Sequence, residues 1–159
     1  IDCIEHGSGI DEEQAQECVR RGIPVTPTLL QVELFKQFAA QAGKKYPVYA
    51  TTMQQMWEQR REHFAMLHAA GVQLLPGTDS GGYQPHGELG RELALWERGG
   101  VSPREIIDLA TWHARDYCTT KSADSFPLPP CSSSLSKRLQ VLLALIVTDY
   151  YALADLEHE

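Results

Sequence analysis

The amino-acid sequence predicts an α/β fold built on a parallel sheet, and three observations lead there. Short strand-like runs alternate with amphipathic helical stretches, the order expected of consecutive βα units rather than of an all-α or all-β domain. Each helical stretch opens or closes on a recognisable cap or glycine stop. A chain of 159 residues with 43% hydrophobic and 22% charged content carries enough apolar surface for one globular core. Three such units can be counted; a closed eight-unit barrel needs about 250 residues, so the chain supplies only part of one.

Residues 2–6 read as a short strand ending at the Gly7-Ser8-Gly9 turn. Asp11 with Gln14 three residues later resembles a capping box, predicting a helix over 12–21 with Gly22 in the left-handed position beyond it. Residues 23–30 give a second strand in which Pro24 and Pro27 interrupt the ladder. Val32, Phe35, Phe38, Ala39 and Ala42 recur at helical spacing up to Gly43, and 44–50 is expected to be a loop. Met53, Met56, Trp57, Phe64 and Leu67 mark one face of the next helix, with Thr51 or Thr52 as its cap and Gly71 as its stop. Residues 72–75 form the third strand, leading into Pro76-Gly77-Thr78-Asp79. After a loop over 80–87, Leu89, Leu93 and Trp96 line a helix that stops at Gly99-Gly100. Ser102, Pro103 and Glu105 then form a capping box with proline at the first helical position, and Ile106, Leu109, Ala110 and His113 share one face of the last helix.

Net charge is -7, and no basic stripe suited to phosphate contacts is present, so nucleic acid is not an expected partner. Cys3, Cys18, Cys118 and Cys131 lie too far apart for a CxxC site and are read as reduced thiols. The apolar run at 139–147 is too short for a membrane span, which takes about 20 helical residues. With no initiator Met, basic leader or apolar signal region, the chain is expected to begin partway through a larger cytoplasmic protein.

Three segments carry a resemblance: Asp2-Cys3-Ile4-Glu5-His6-Gly7, Pro24-Val25-Thr26-Pro27-Thr28-Leu29, and Gly77-Thr78-Asp79-Ser80-Gly81-Gly82 followed by His86-Gly87. In order, spacing and wording they resemble strands six, seven and eight of the amidohydrolase superfamily, nearest its imidazolonepropionase-like and Xaa-Pro dipeptidase-like members. The likeness runs to Tyr117, roughly three quarters of the chain. It implies a partial TIM (β/α)8 barrel, about its last three βα units, over 1–117, with an irregular tail over 118–159. It implies hydrolysis of amide C–N bonds in a small-molecule or dipeptide-like substrate by a water activated on zinc or a similar divalent metal. By the same resemblance His6 binds the metal, and Asp79 binds the metal and takes the proton of the attacking water.

Residue chemistry alone leaves these positions open. His6 could be a hydrogen-bonded strand-end histidine, and Asp79 a turn or helix-cap residue. Both nevertheless stand at the carboxyl ends of strands, where barrel active sites are built. Imidazole and carboxylate are suitable zinc donors, and a carboxylate beside zinc-bound water, whose pKa falls to about 7, can accept its proton. His86 is either a solvated loop residue or, as in relatives, one that approaches the substrate. Ser80 either orients Asp79 or closes the turn. His63, His68 and His113 are expected to be structural, and Cys3 and Cys18 to have no catalytic role.

The resemblance also implies ligands on strands one, four and five, including a His-x-His pair, and no such pair occurs in this chain. Two ligands do not make a catalytic zinc site, which usually takes three protein donors. The alternative is therefore a catalytically inactive remnant or an interaction module; a complete doubly wound domain is a third reading. Three strands of an open barrel would expose two sheet edges, so association is expected. The tail is rich in Ser and Pro over 122–136 and does not continue the pattern; it is expected to be frameshifted, a foreign fusion or poorly ordered.

Overall fold

Ile4 and Glu5 form strand β1 (Ile4–Glu5), which pairs in parallel with β2 (Val25–Thr26), Ile4 opposite Val25 and Glu5 opposite Thr26. The computed structural model describes residues 1–121, and over them the fold is mixed α/β and mostly helical. Val25 makes a further parallel bridge to Leu74 on its other side. β2 therefore lies between the other two segments, and all three run the same way. Their carboxyl ends share one end of the sheet.

The regular strands are shorter than the sequence predicts. β2 covers two residues of the expected 23–30, because Pro24 and Pro27 flank it and neither has an N–H for the ladder. The chain then turns through Thr28, in left-handed backbone with φ 44°, directly into helix α2 (Leu29–Glu33). The third strand, expected over 72–75, is reduced to the bridge at Leu74, held by Val25 N–H donating to Gln73 O and Leu75 N–H donating to Val25 O, both at 2.9 Å.

Helix α1 (Glu12–Arg21) crosses between β1 and β2 as its capping signals require. Asp11 accepts from Gln14 N–H at 2.8 Å, Gln14 returns a bond to Asp11 N–H at 3.1 Å, and Gly22 takes φ 62°. Leu34 divides the next helical stretch into α2 and α3 (Phe35–Ala42). Helix α4 (Pro47–Ala69) starts inside the segment expected to be a loop, because Pro47 is preorganised for a first helical position. Thr52 is consequently interior to the helix, and its hydroxyl donates back to Val48 O at 3.0 Å instead of capping. Phe64 and Leu67 are the fully buried residues of α4, while Met53, Met56 and Trp57 are half-buried.

Helix α5 (Leu89–Arg98) buries Trp96 against Phe64, ring centroids 5.8 Å apart. Helix α6 (Pro103–Asp108) is capped by Ser102, which accepts from Glu105 N–H at 3.3 Å. Only this half of the expected capping box forms, because the Glu105 carboxylate sits 2.9 Å from His68 Nε2. A π-helical turn (Leu109–His113) then leads into α7 (Ala114–Lys121). The wider turn breaks the 3.6-residue phase, so Ile106 and Leu109 are buried but His113, expected on the packed face, is exposed. The core joins Ala15, Val25, Phe64, Leu67, Leu74, Trp96 and Val101 beneath the sheet and between the helices. Among the described residues Cys3 and Cys18 are free, and no helix is long and apolar enough to cross a membrane. The expected irregular tail lies outside the described residues beyond Lys121; α7 itself continues past Tyr117.

Candidate functional site at the carboxyl ends of the strands

Just beyond the three strand ends stand His6, Thr28 and Asp79, with φ of 64°, 44° and 57°. They are the non-glycine residues with positive φ among the described residues. Left-handed backbone is uncommon for residues with a side chain and strained for a β-branched one, and such outliers gather where function over-determines the geometry. The first and third are the two candidate ligands. The second lies in the strand-seven-like motif, but no role is expected for it from the sequence.

Thr28 is what holds His6. Its Oγ1 lies 2.7 Å from His6 Nδ1, and Thr28 itself is buried. His6 N–H donates to Thr26 O at 2.8 Å, fixing the backbone of the same corner. With Nδ1 occupied, Nε2 is the ring atom left to meet a ligand. Gly7 closes the approach: an added Cβ there would lie 2.7 Å from Val25 Cγ1, so only glycine lets the chain turn this close to β2.

Asp79 is exposed, and no described residue makes a hydrogen bond to its carboxylate. The loop behind it is closed by Ser80. Ser80 Oγ donates to Pro85 O at 2.9 Å and lies 2.5 Å from Thr78 Oγ1, so the contact with Asp79 expected from the sequence is not among its bonds. Gly81 N–H donates to Gln84 O at 3.0 Å. His86 is exposed and folds back over this turn, its Cε1 3.8 Å from where a Cβ on Gly81 would stand.

Two residues that sequence reasoning missed tie both loops to one corner. Gln84, buried, donates from Nε2 to Leu30 O at 2.9 Å. Glu92, fully buried on α5, accepts from Leu29 N–H and Leu30 N–H at 2.8 Å each and from Trp96 Nε1–H at 3.0 Å. Burial pushes the Glu92 carboxyl above the usual carboxylate range, and its three donors pull in the opposite direction. A glutamate at helical spacing looks like a solvated face until tertiary contacts are known. The detectable signal was only its place four residues before Trp96, on the apolar side of α5.

His6 also lines a cavity of about 40 Å³ with Ser8, Pro27, Met56, His63 and Phe64, which Asp79 does not reach. A wider cleft of about 370 Å³, lined by His68, Gln73, Glu105 and His113, sits at the opposite, amino end of the third strand. The expected structural roles of His63 and His68 match their contacts: His63 Nε2 lies 2.9 Å from Ile10 O, and His68 pairs with Glu105. Cys3 has its thiol pushed up by burial and sits 3.5 Å from Thr26 Oγ1.

His6 and Asp79 suit a zinc ion in kind, but among the described residues no three His, Cys, Asp or Glu side chains converge as a metal site needs. The described residues offer an incomplete set.

No family model matches the chain. It is 36% identical over 117 residues to an uncharacterized protein of Mycobacterium bovis and to uncharacterized proteins of two strains of Mycobacterium tuberculosis. That match takes in 74% of this chain and 31% of each relative, so the chain spans about a third of their length. A crystal structure of a Xaa-Pro dipeptidase with methionine bound in its active site superposes with a TM-score of 0.64 at 23% identity, over 77% of this chain and 30% of that one. The likeness establishes a shared α/β fold.

Proposed function

We propose that this chain carries one section of the active site of a metal-dependent amidohydrolase that cleaves amide C–N bonds, its three parallel segments being the last part of a (β/α)8 wall. The observation that carries the reading is that His6 and Asp79 follow the carboxyl ends of segments on either side of β2, His6 held by Thr28 and the loop after Asp79 tied to the same corner by the Gln84 bond to Leu30 O. The resemblance of the three strand-end motifs and the fold shared with a Xaa-Pro dipeptidase support it.

A divalent ion, zinc by the donor types, would be held in part by His6 and Asp79, and when bound it supplies polarisation of a carbonyl and acidification of water. The chain's own residues do the rest. Thr28 fixes the His6 ring, so its free nitrogen keeps one direction. The Asp79 carboxylate is open to take a proton from the attacking water and return it to the leaving amine. His86, exposed and folded against Gly81 on the same loop, would contact a small or dipeptide-like substrate. Ser80 serves by closing the loop that aims Asp79.

A second reading has its own observation. His6 and Asp79 are two candidate donors where a catalytic zinc usually takes three, and a chain that keeps these motifs without catalysis, as a remnant or an interaction module, is the reading that follows if no further donors complete the set. Metal analysis and dipeptide hydrolysis on the purified chain separate the two. The enzymatic reading expects zinc uptake that falls in His6→Ala and hydrolysis abolished in Asp79→Asn. Turnover that survives Asp79→Asn would refute the mechanism, and a chain that takes up no metal and turns nothing over supports the second reading.

A further inference from the structure

We propose that Glu92 is a positioning residue for His6: by taking over the capping of α2 it frees the Thr28 hydroxyl to hold the imidazole. Thr28 occupies the N-cap position of α2, where a threonine in extended backbone would accept a hydrogen bond from the helix's own first turn. It does not. Its backbone is left-handed, with φ 44° and ψ 54°, its side chain makes no capping bond, and its hydroxyl lies against His6 Nδ1. Leu30 N–H, a donor that a capping threonine could take, goes instead to one carboxylate oxygen of Glu92, and Leu29 N–H, which lies out of reach of the cap, goes to the other.

The arrangement is hard to explain as helix capping alone. Burying a carboxylate is costly unless it is fully paired, and a local threonine would cap a five-residue helix without that cost. Glu92 has no solvent exposure, spends both oxygens on the corner, and is satisfied by a third donor from Trp96 of its own helix. A β-branched residue in left-handed backbone also needs outside support to stay there. Glu92 supplies it on the N–H side of the corner, and Gln84 on the carbonyl side. With the Thr28 hydroxyl as the acceptor of that contact, the proposal selects one tautomer, in which Nδ1–H of His6 donates to Thr28 Oγ1 and Nε2 keeps its lone pair; an Nε2–H tautomer in wild type would overturn it. That Nε2 then faces a cation rests on the metal reading above; the coupling from Glu92 to His6 does not.

The tautomer can be read without metal. The full chain is labelled with 15N-histidine, and long-range 1H–15N spectra are recorded at mildly alkaline pH, with His6 assigned by its loss in His6→Ala. Wild type is expected to show His6 as a single Nδ1–H tautomer, Thr28→Ser to keep it, and Thr28→Val to lose the preference. Glu92→Gln is expected to lose it as well, because its amide NH2 opposes Leu30 N–H and Thr28 returns to capping. Leu109→Ala, a core truncation away from this network, should destabilise the chain and leave the tautomer alone. If Glu92→Gln does not fold, Glu92→Asp gives the same test, since the shorter acid cannot hold both N–H groups. A wild-type-like tautomer in the folded Glu92 variant, or a mixed tautomer in wild type, overturns the proposal. Failure of zinc to bind while the tautomer behaves as described would count against the metal reading only.

Discussion

Gly77 stands where the third strand leaves the sheet, and an added Cβ there would lie 2.5 Å from Thr26 Cγ2. That separation is more than an ångström inside ordinary carbon contact, and Thr26 is buried in the centre of the sheet, with little room to move. Gly77→Ala should therefore act as an overpacking substitution, costing about 1–3 kcal/mol, offset by about 0.4–1 kcal/mol from the stiffer unfolded chain. The net expectation is a loss of about 1–2 kcal/mol. Thr26→Ser removes the offending methyl and by itself should cost about 0.5–1.5 kcal/mol, as other single-methyl truncations do. In the double variant the alanine methyl fills the vacated space, so the two changes should couple favourably by about 1–2 kcal/mol. Urea denaturation of the four proteins, with midpoints and slopes fitted together, measures that coupling. Additive effects would mean that the two side chains do not meet, and that the placement of the Asp79 segment beside β2 is wrong.

Other consequences follow from single contacts. Asp11→Ala removes the cap of α1 and should cost about 1 kcal/mol by the same denaturation assay, with Gln14→Ala costing less. Gly99 has ordinary backbone, but an added Cβ would fall 2.7 Å from Phe64 Cε1, so Gly99→Ala should cost about 1–3 kcal/mol, whereas Gly82→Ala, with open space around it, should be close to neutral. Because burial holds Glu92 above the usual carboxylate range, the folded state keeps that proton more readily than the unfolded chain. Its contribution is thus full below the ordinary carboxylate value and lost as pH rises through the raised one; Glu92→Gln should remove that decline from urea midpoints measured across the acid range. Glu17, drawn down to about 2 by Arg20 and Arg21, works in the other sense, its contribution lost as pH falls from the ordinary value toward that point, and as an exposed group its effect should fade in high salt.

Local chemistry explains what the sequence revealed. The α1 cap, the Gly22 and Gly43 stops and the Ser102-Pro103 start are decided within a few residues, and each is found where the sequence places it. The order of strands and helices follows from the same local signals. What failed depended on contacts between distant segments. Glu105 was drawn from its cap by His68, the two prolines cut β2 short, and the π-helical turn carried His113 to the surface. The candidate site divides in the same way: His6, Asp79, Ser80 and His86 are visible because they stand in strand-end motifs. Thr28, though inside a strand-end motif, reads as a strand residue and Glu92 does not stand out, since a left-handed corner and its remote cap, separated by more than sixty residues, leave no periodic trace.

Whether His6 and Asp79 address one ion can be read from a single titration. Substoichiometric Co²⁺ added to the 15N-labelled chain should broaden the His6 ring and the amides of Thr78, Asp79 and Ser80 together, at the same metal concentration. His6→Ala should abolish the broadening at Thr78 to Ser80, and Asp79→Asn should weaken it at His6. Broadening of one group with the other untouched, or at Thr78 to Ser80 undiminished in His6→Ala, would show that the two side chains do not share a cation.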